Sequence, residues 1–163
     1  MINFKSYIRD IIYLFYPESC AACNKALFDN EKWLCSPCLL QLPYTESHSS
    51  KDSGYNQIFW GRTPVEQVWP FLEYKRGFKT QKILHKIKYK NQPELGTFFG
   101  ELAAKTLLNR TELADLDCII PVPMHFKKLR ARGYNQAELI AKGFEKVLGK
   151  PIKTDLVKKN TLF

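Results

Sequence analysis

Apolar side chains recur at the three- and four-residue spacing of amphipathic helices in several segments of the chain. The pattern predicts helices over residues 3–16, 79–90, 94–109 and 135–148. Pro17 follows the first of these segments, and Gly149 and Pro151 follow the last, as is typical of helix ends. We expect the apolar face of each helix to pack against the body of the protein.

Three shorter segments, at residues 68–74, 118–122 and 152–157, have the composition of β-strands. Pro70 places the first at a sheet edge or in an irregular position, because proline donates no hydrogen bond to a neighbouring strand. The second, CIIPV, is wholly apolar, which is typical of a strand buried on both faces, and Cys118 is expected to be a core thiol rather than a nucleophile. Because these strands alternate with helices, the sequence predicts an α/β fold with a parallel sheet.

A polar segment rich in turn residues, at 45–65, predicts a linker between two parts of the chain. Residues 1–44 would form a helix and a small cysteine-rich module, and residues 66–163 the α/β domain. A length of 163 residues suits one sizeable core with a small appendage.

The amino-acid composition and net charge exclude some classes of protein and indicate the kind of partner this one binds. A content of 45% hydrophobic residues and 8 glycines excludes disordered and collagen-like chains. The net charge of +9 favours anionic partners such as phosphate, nucleic acid or a membrane surface. No segment approaches the roughly 20 apolar residues of a membrane span, and the first helix lacks a signal-peptide cleavage site. The sequence predicts a soluble, cytoplasmic protein without membrane insertion.

Four of the 5 cysteines form two CxxC pairs, Cys20 with Cys23 and Cys35 with Cys38. Two intervening residues let both sulfurs of a pair reach one ion, and two pairs complete a tetrahedron. Four protein ligands leave no open position, so the spacing predicts a structural zinc site.

Two alternatives to zinc stay open at this point: iron in the same site, and thioredoxin-type redox pairs. Trp33, between the two pairs, is expected to pack over the site. His48, in the linker, is a candidate substitute ligand.

Basic residues follow the predicted strand 118–122, in a predicted loop that also carries His125 and precedes a helix starting near Asn135. Ligands of open α/β sheets bind beyond the carboxyl ends of strands, and a helix N-terminus attracts anions. The segment therefore predicts a phosphate site. The alternative is a solvated loop in which Asn135 only caps the helix and His125 is an ordinary exposed residue.

Three motifs occur in an order that resembles the ComF/GntX family: the CxxC pairs, ILHKIKYKNQPELGTFFGELAA at residues 83–104, and IIPVPMH…LRARGYNQAELIA at 119–141. In that family a zinc module precedes a domain similar to type I phosphoribosyltransferases. The resemblance implies a pyrophosphate site made of Pro123, Met124 and His125, with Arg130, Arg132, Gly133, Asn135 and Gln136 beside it. Gly133 is expected to adopt a backbone conformation that a side chain would obstruct.

The same resemblance implies a role in DNA uptake during natural competence, with incoming single-stranded DNA and competence proteins as partners, or in nucleotide metabolism. Family members hold phosphoribosyl pyrophosphate and magnesium with an acidic pair followed by a Thr-Thr-Gly turn, which these 163 residues lack. We therefore expect a catalytically incomplete transferase with an incomplete sheet, whose exposed edge favours self-association. The alternative is a non-enzymatic, zinc-containing module that binds single-stranded DNA or a protein partner.

Between Glu73 and Glu94 the chain has no acidic residue but seven basic ones, with Tyr74, Phe78 and Tyr89 among them. Basic side chains follow a phosphate backbone and aromatic rings stack on bases, so this composition is typical of single-strand binders. The alternative is a helix face that is basic only for solubility. The candidate contacts are Lys75, Arg76, Lys79, Lys82, Lys86, Lys88 and Lys90.

Overall fold

The computed structural model describes residues 17–45, 54–89 and 92–159. Its α-helices are α1 (Ser36–Leu40), α2 (Lys79–Tyr89), α3 (Pro93–Leu107), α4 (Phe126–Arg132) and α5 (Gln136–Leu148), with short 3-10 helices at Tyr55–Phe59 and Thr111–Leu113. The helices predicted at 79–90, 94–109 and 135–148 are confirmed, with small shifts at their ends. The predicted helix at 3–16, His48 and Lys90 lie outside the described residues.

Local sequence explains where the long helices begin and end. Pro93 begins α3, where its missing N–H costs no helical hydrogen bond. Asn135 caps α5 by accepting a hydrogen bond from the Ala137 N–H at 3.1 Å. Gly149 ends α5 with φ +67°, a left-handed conformation that favours glycine.

Helices α3 and α5 pack against each other through glycines. A Cβ on Gly100 would collide with the Ile140 carbonyl oxygen and lie 3.0 Å from Gly143 Cα. A Cβ on Gly143 would in turn collide with backbone atoms of Thr97 and Glu101. The two backbones therefore approach more closely than any residue with a side chain would permit at these positions.

The predicted parallel sheet is wrong: no described residue belongs to a β-strand, and strand pairing is limited to isolated bridges. In the segment 118–122 only Ile119 pairs, in a parallel bridge with Ile152. Pro121 and Pro123 have no N–H group, so the pairing cannot extend toward the carboxyl end. Val122 is 75% exposed, which contradicts burial on both faces, and Cys118 is half-buried rather than a core thiol.

The other two predicted strands fail for related reasons. In segment 68–74 the only bridge is Leu72 with Tyr44. Pro70, two residues before Leu72, has no N–H group and cannot donate a hydrogen bond to a neighbouring strand. In segment 152–157 only Ile152 pairs, and Leu156 is 59% exposed. The sheet edge on which the predicted self-association depended is therefore absent from the described residues. The segment after residue 122, predicted as a loop, contains helix α4.

By contact density the described residues divide into two units. Unit 1 contains residues 17–43 and 74–83, and unit 2 contains residues 44–45, 54–73, 84–89 and 92–159. The core of unit 1 combines three of the cysteines with a few aliphatic side chains, among them Leu27, Leu34 and Ile83, whereas that of unit 2 is built on α3 and α5.

In the part of the chain that the structure describes, no helix has both the length and the apolar character needed to cross a membrane.

Candidate functional site

The structure brings the four paired cysteines together in unit 1. The sulfurs of Cys20, Cys23, Cys35 and Cys38 all lie within 4.8 Å of one another. The Cys23 and Cys35 sulfurs are 3.7 Å apart, far longer than the roughly 2.05 Å of a disulfide. A metal–sulfur distance of about 2.3 Å gives a tetrahedron with edges of about 3.8 Å. The cluster can therefore hold one metal ion.

Backbone hydrogen bonds form the turn that carries the first cysteine pair. The Asn24 N–H donates to the Cys20 carbonyl at 2.9 Å, and the Cys20 N–H donates to the Lys25 carbonyl at 2.8 Å. Asn24 has φ +62°, in the left-handed region where asparagine is among the better tolerated residues. The chain therefore reverses directly after Cys23, with both sulfurs on the same side as the second pair.

Trp33 joins the two cysteine pairs through its backbone. Its carbonyl accepts a hydrogen bond from the Ala21 N–H at 2.7 Å, and its φ is +66°. Cys35 then occupies the N-cap position of α1, and Cys38 follows in the first turn of that helix. The predicted packing of the Trp33 ring over the cysteines stays a prediction, whereas the role of its backbone was not visible in the sequence.

The cysteines differ in their affinity for protons. Burial opposes ionisation of Cys20, but N–H groups of the neighbouring backbone outweigh it and lower the pKa to about 6. Burial raises the pKa of Cys35, and burial together with the adjacent cysteines raises the pKa of Cys38 to about 12. At neutral pH the metal-free cluster therefore holds a thiolate beside protonated thiols, and an incoming cation displaces protons.

Glu31 is a residue of this site that the sequence did not reveal. Its carboxylate accepts hydrogen bonds from the Phe28 N–H at 3.0 Å, from the Ser36 N–H at 2.5 Å and from the Ser36 hydroxyl at 2.7 Å. These donors, the Ser36 N–H foremost, lower the pKa of Glu31. The Glu31 carboxylate thus joins Phe28 to Ser36 within the segment that connects the two cysteine pairs, and Ser36 directly follows Cys35.

We expect Glu31→Gln to weaken metal binding about tenfold. Substitution of residues that orient metal ligands typically lowers metal affinity about 10- to 100-fold, and this loss lies at the lower end of that range. The amide cannot accept from all three donors, so the position of Cys35 becomes less well defined. Competition between the protein and a chromophoric chelator measures the affinity. Asp29→Asn removes the same charge from the same connection and serves as the control; equal affinities of the two variants would contradict the assignment.

Three residues of the predicted phosphate site, His125, Gly133 and Asn135, hold the backbone of unit 2 in place. His125 is 7% exposed, and its Nδ1 accepts a hydrogen bond from the Lys127 N–H at 3.2 Å, capping α4. The side-chain amide of Asn135 donates to the Val122 carbonyl at 3.0 Å, in addition to capping α5. Gly133 has φ +83° and ends α4, as expected for a glycine. Pro123 and Met124 are half-buried.

The basic residues of this segment lie on α4 rather than on a loop. Arg130 is exposed, whereas the Arg132 Nη1 donates to the Gln136 carbonyl oxygen (Oε1) at 2.8 Å. Lys128 and Arg132 line a cleft of about 310 Å³ together with Lys88 and Tyr89 of α2. The structure thus brings together parts of two segments that the sequence analysis treated separately. A pyrophosphate contact of Pro123, Met124 and His125 stays a prediction.

The basic residues of the segment 74–89 differ in their exposure. The Lys79 Nζ donates a hydrogen bond to the Gln41 Oε1 at 2.8 Å, and Lys86 is half-buried. Most of the other described basic residues are exposed. The aromatic rings among them are also exposed, Tyr74 by 56%, Phe78 by 60% and Tyr89 by 62%. Exposed cations and exposed aromatic side chains therefore occur together on this segment. The exposed cations are Lys75, Arg76, Lys82 and Lys88.

Comparison of the chain with family profiles, with curated proteins and with solved structures gives no match.

Proposed function

We propose that this protein is a zinc-stabilised module that binds single-stranded nucleic acid. The observation that carries the proposal is that exposed cations and exposed aromatic rings occur together in the segment 74–89, which has no acidic residue. Buried rings would indicate a core helix, and exposed cations alone a solvated face. Rings and cations exposed together offer stacking surfaces beside charges that contact phosphates.

Zinc is the metal we propose for the cysteine cluster. Four thiolates around one ion form a closed site, so the ion has a structural rather than a hydrolytic role. The similarity of the motifs to the ComF/GntX family supports DNA, in particular incoming single-stranded DNA, as the nucleic acid. We do not propose phosphoribosyl transfer, because the sheet that would carry its substrate site is absent from the described residues.

The test is the salt dependence of binding to a labelled single strand, measured by fluorescence anisotropy. Each phosphate contact on a single strand adds about −0.7 to the slope of log affinity against log salt concentration. Contacts by Lys75, Arg76, Lys82 and Lys88 predict a slope of about −3. Affinity should then fall about 50-fold between 50 and 200 mM salt.

A pair of double variants links this slope to the segment. Arg76→Gln with Lys82→Gln should reduce the slope by about half, because two contacts are lost. Lys105→Gln with Lys142→Gln removes the same charge from exposed positions on α3 and α5 and should leave the slope close to that of the wild type. A flat salt response of the wild type, or equal slopes in the two double variants, would refute the proposal.

A further inference from the structure

The cleft in unit 2 has the composition of a binding site for a nucleotide. Its described lining consists of three cationic side chains, two tyrosines and an alanine, with no acidic residue among them. The volume of about 310 Å³ is at the lower end of the range of small-molecule sites. The lining residues are Lys88, Tyr89, Lys128, Ala131, Arg132 and Tyr134.

Arg132 is held in place on two sides. Its guanidinium carbon lies over the Tyr89 ring, 5.2 Å from the ring centre, and its Nη1 donates to Gln136 at 2.8 Å. That hydrogen bond uses one of the five N–H donors of the guanidinium. A guanidinium oriented in this way loses little conformational freedom when a planar group stacks on it.

Tyr134 fixes the geometry of the cleft. Its hydroxyl donates to the Ile87 carbonyl at 2.7 Å, and Ile87 is 2% exposed. This bond connects the turn after α4 to α2 across 47 residues of sequence. The cleft is therefore held together by the fold before any ligand arrives.

We propose that this cleft holds one unpaired nucleotide of a single strand. The base stacks on the Arg132 guanidinium that lies over Tyr89, and Lys88 and Lys128 contact the flanking phosphates. Bases in a duplex are stacked on their neighbours and cannot present a face to the guanidinium, so the cleft selects single strands. The inference rests on the proposed function and adds to it the pocket that recognises the base.

The experiment compares two labelled strands of equal length and charge, twelve thymidine nucleotides and twelve abasic sugar phosphates. Wild-type protein should bind the thymidine strand at least about fivefold more tightly, because stacking of a base contributes about 1–3 kcal/mol. Arg132→Lys keeps the positive charge but loses the planar group, so it should abolish this preference while the salt slope stays unchanged. Arg62→Lys makes the same change at an exposed position outside the cleft and should retain the preference.

The outcomes separate this inference from the proposed function. If wild-type protein binds neither strand, the proposed function fails. If it binds both strands equally, or if Arg132→Lys keeps the preference, the nucleic-acid function stands and the cleft assignment is overturned. Free thymidine monophosphate that binds as tightly as the strand would assign the cleft to a free nucleotide, which also overturns the proposal.

Discussion

Replacing Cys38 with serine should release the metal and unfold residues 17–43. Cys38 is 4% exposed and belongs to the described cysteine cluster. The buried apolar side chains of this segment are few: among the described residues they are three of the cysteines, two alanines and the leucines Leu27, Leu34 and Leu42. Structural zinc contributes about 10–16 kcal/mol in comparable sites, which is as large as the whole stability of a typical domain. Such a core is therefore not expected to persist without the ion.

Metal content and local amide exchange measure this result together. The wild type should carry one ion per chain, and the Asn24 and Leu27 amides, which are hydrogen-bonded within the segment, should be protected. Cys38→Ser should lose both the ion and the protection, and a strong chelator should have the same effect on the wild type. Cys118→Ser is the matched control, because Cys118 lies outside the cluster. A Cys38→Ser protein that kept its metal and its protected amides would contradict the assignment of the site.

Gly143→Ala should strongly destabilise unit 2, although alanine is the better helix former. Considered as a helix residue alone, alanine would add about 1 kcal/mol of stability. The structure reverses that sign, because the new methyl group would collide with the backbone of α3 at Thr97 and Glu101. Backbone atoms cannot rotate away as a side chain can, so the two helices must separate. We expect a loss of about 3 kcal/mol, at the upper end of overpacking effects.

Thermal unfolding should show this loss as a fall of about 10 °C in the melting temperature for a chain of this size. Lys142→Ala, at the neighbouring exposed position of α5, is the control and should change the melting temperature little. The sign of the change is decisive. A Gly143→Ala protein that melts at or above the wild-type temperature would show that α3 and α5 are not in close backbone contact.

The four-cysteine cluster was predictable from sequence because its members are local. Two cysteines separated by two residues lie on one turn, and a short connection brings the second pair to the same ion. The support of that site was not predictable in the same way. Glu31 reaches Ser36 only because the connection folds back, and no spacing rule indicates which acidic residue of the connection does so.

The parallel sheet was predicted wrongly because a short apolar run does not specify its partner. Periodicity cannot distinguish a buried strand from an irregular apolar segment of the same length. In 118–122 the prolines decide the outcome, since they leave Ile119 as the residue that pairs. The prediction of a loop in the basic segment that follows is also wrong, because the charges of this segment obscure the short helix α4.

By itself the sequence determined the long helices and the four-cysteine site, since both depend on residues close together in the chain. Only the tertiary structure decided which distant residues meet. Gly100 and Gly143 matter because α3 lies against α5, and Tyr89 and Arg132 share a cleft because Tyr134 bonds to the Ile87 carbonyl. Such contacts depend on the path of the whole backbone, which local spacing does not encode.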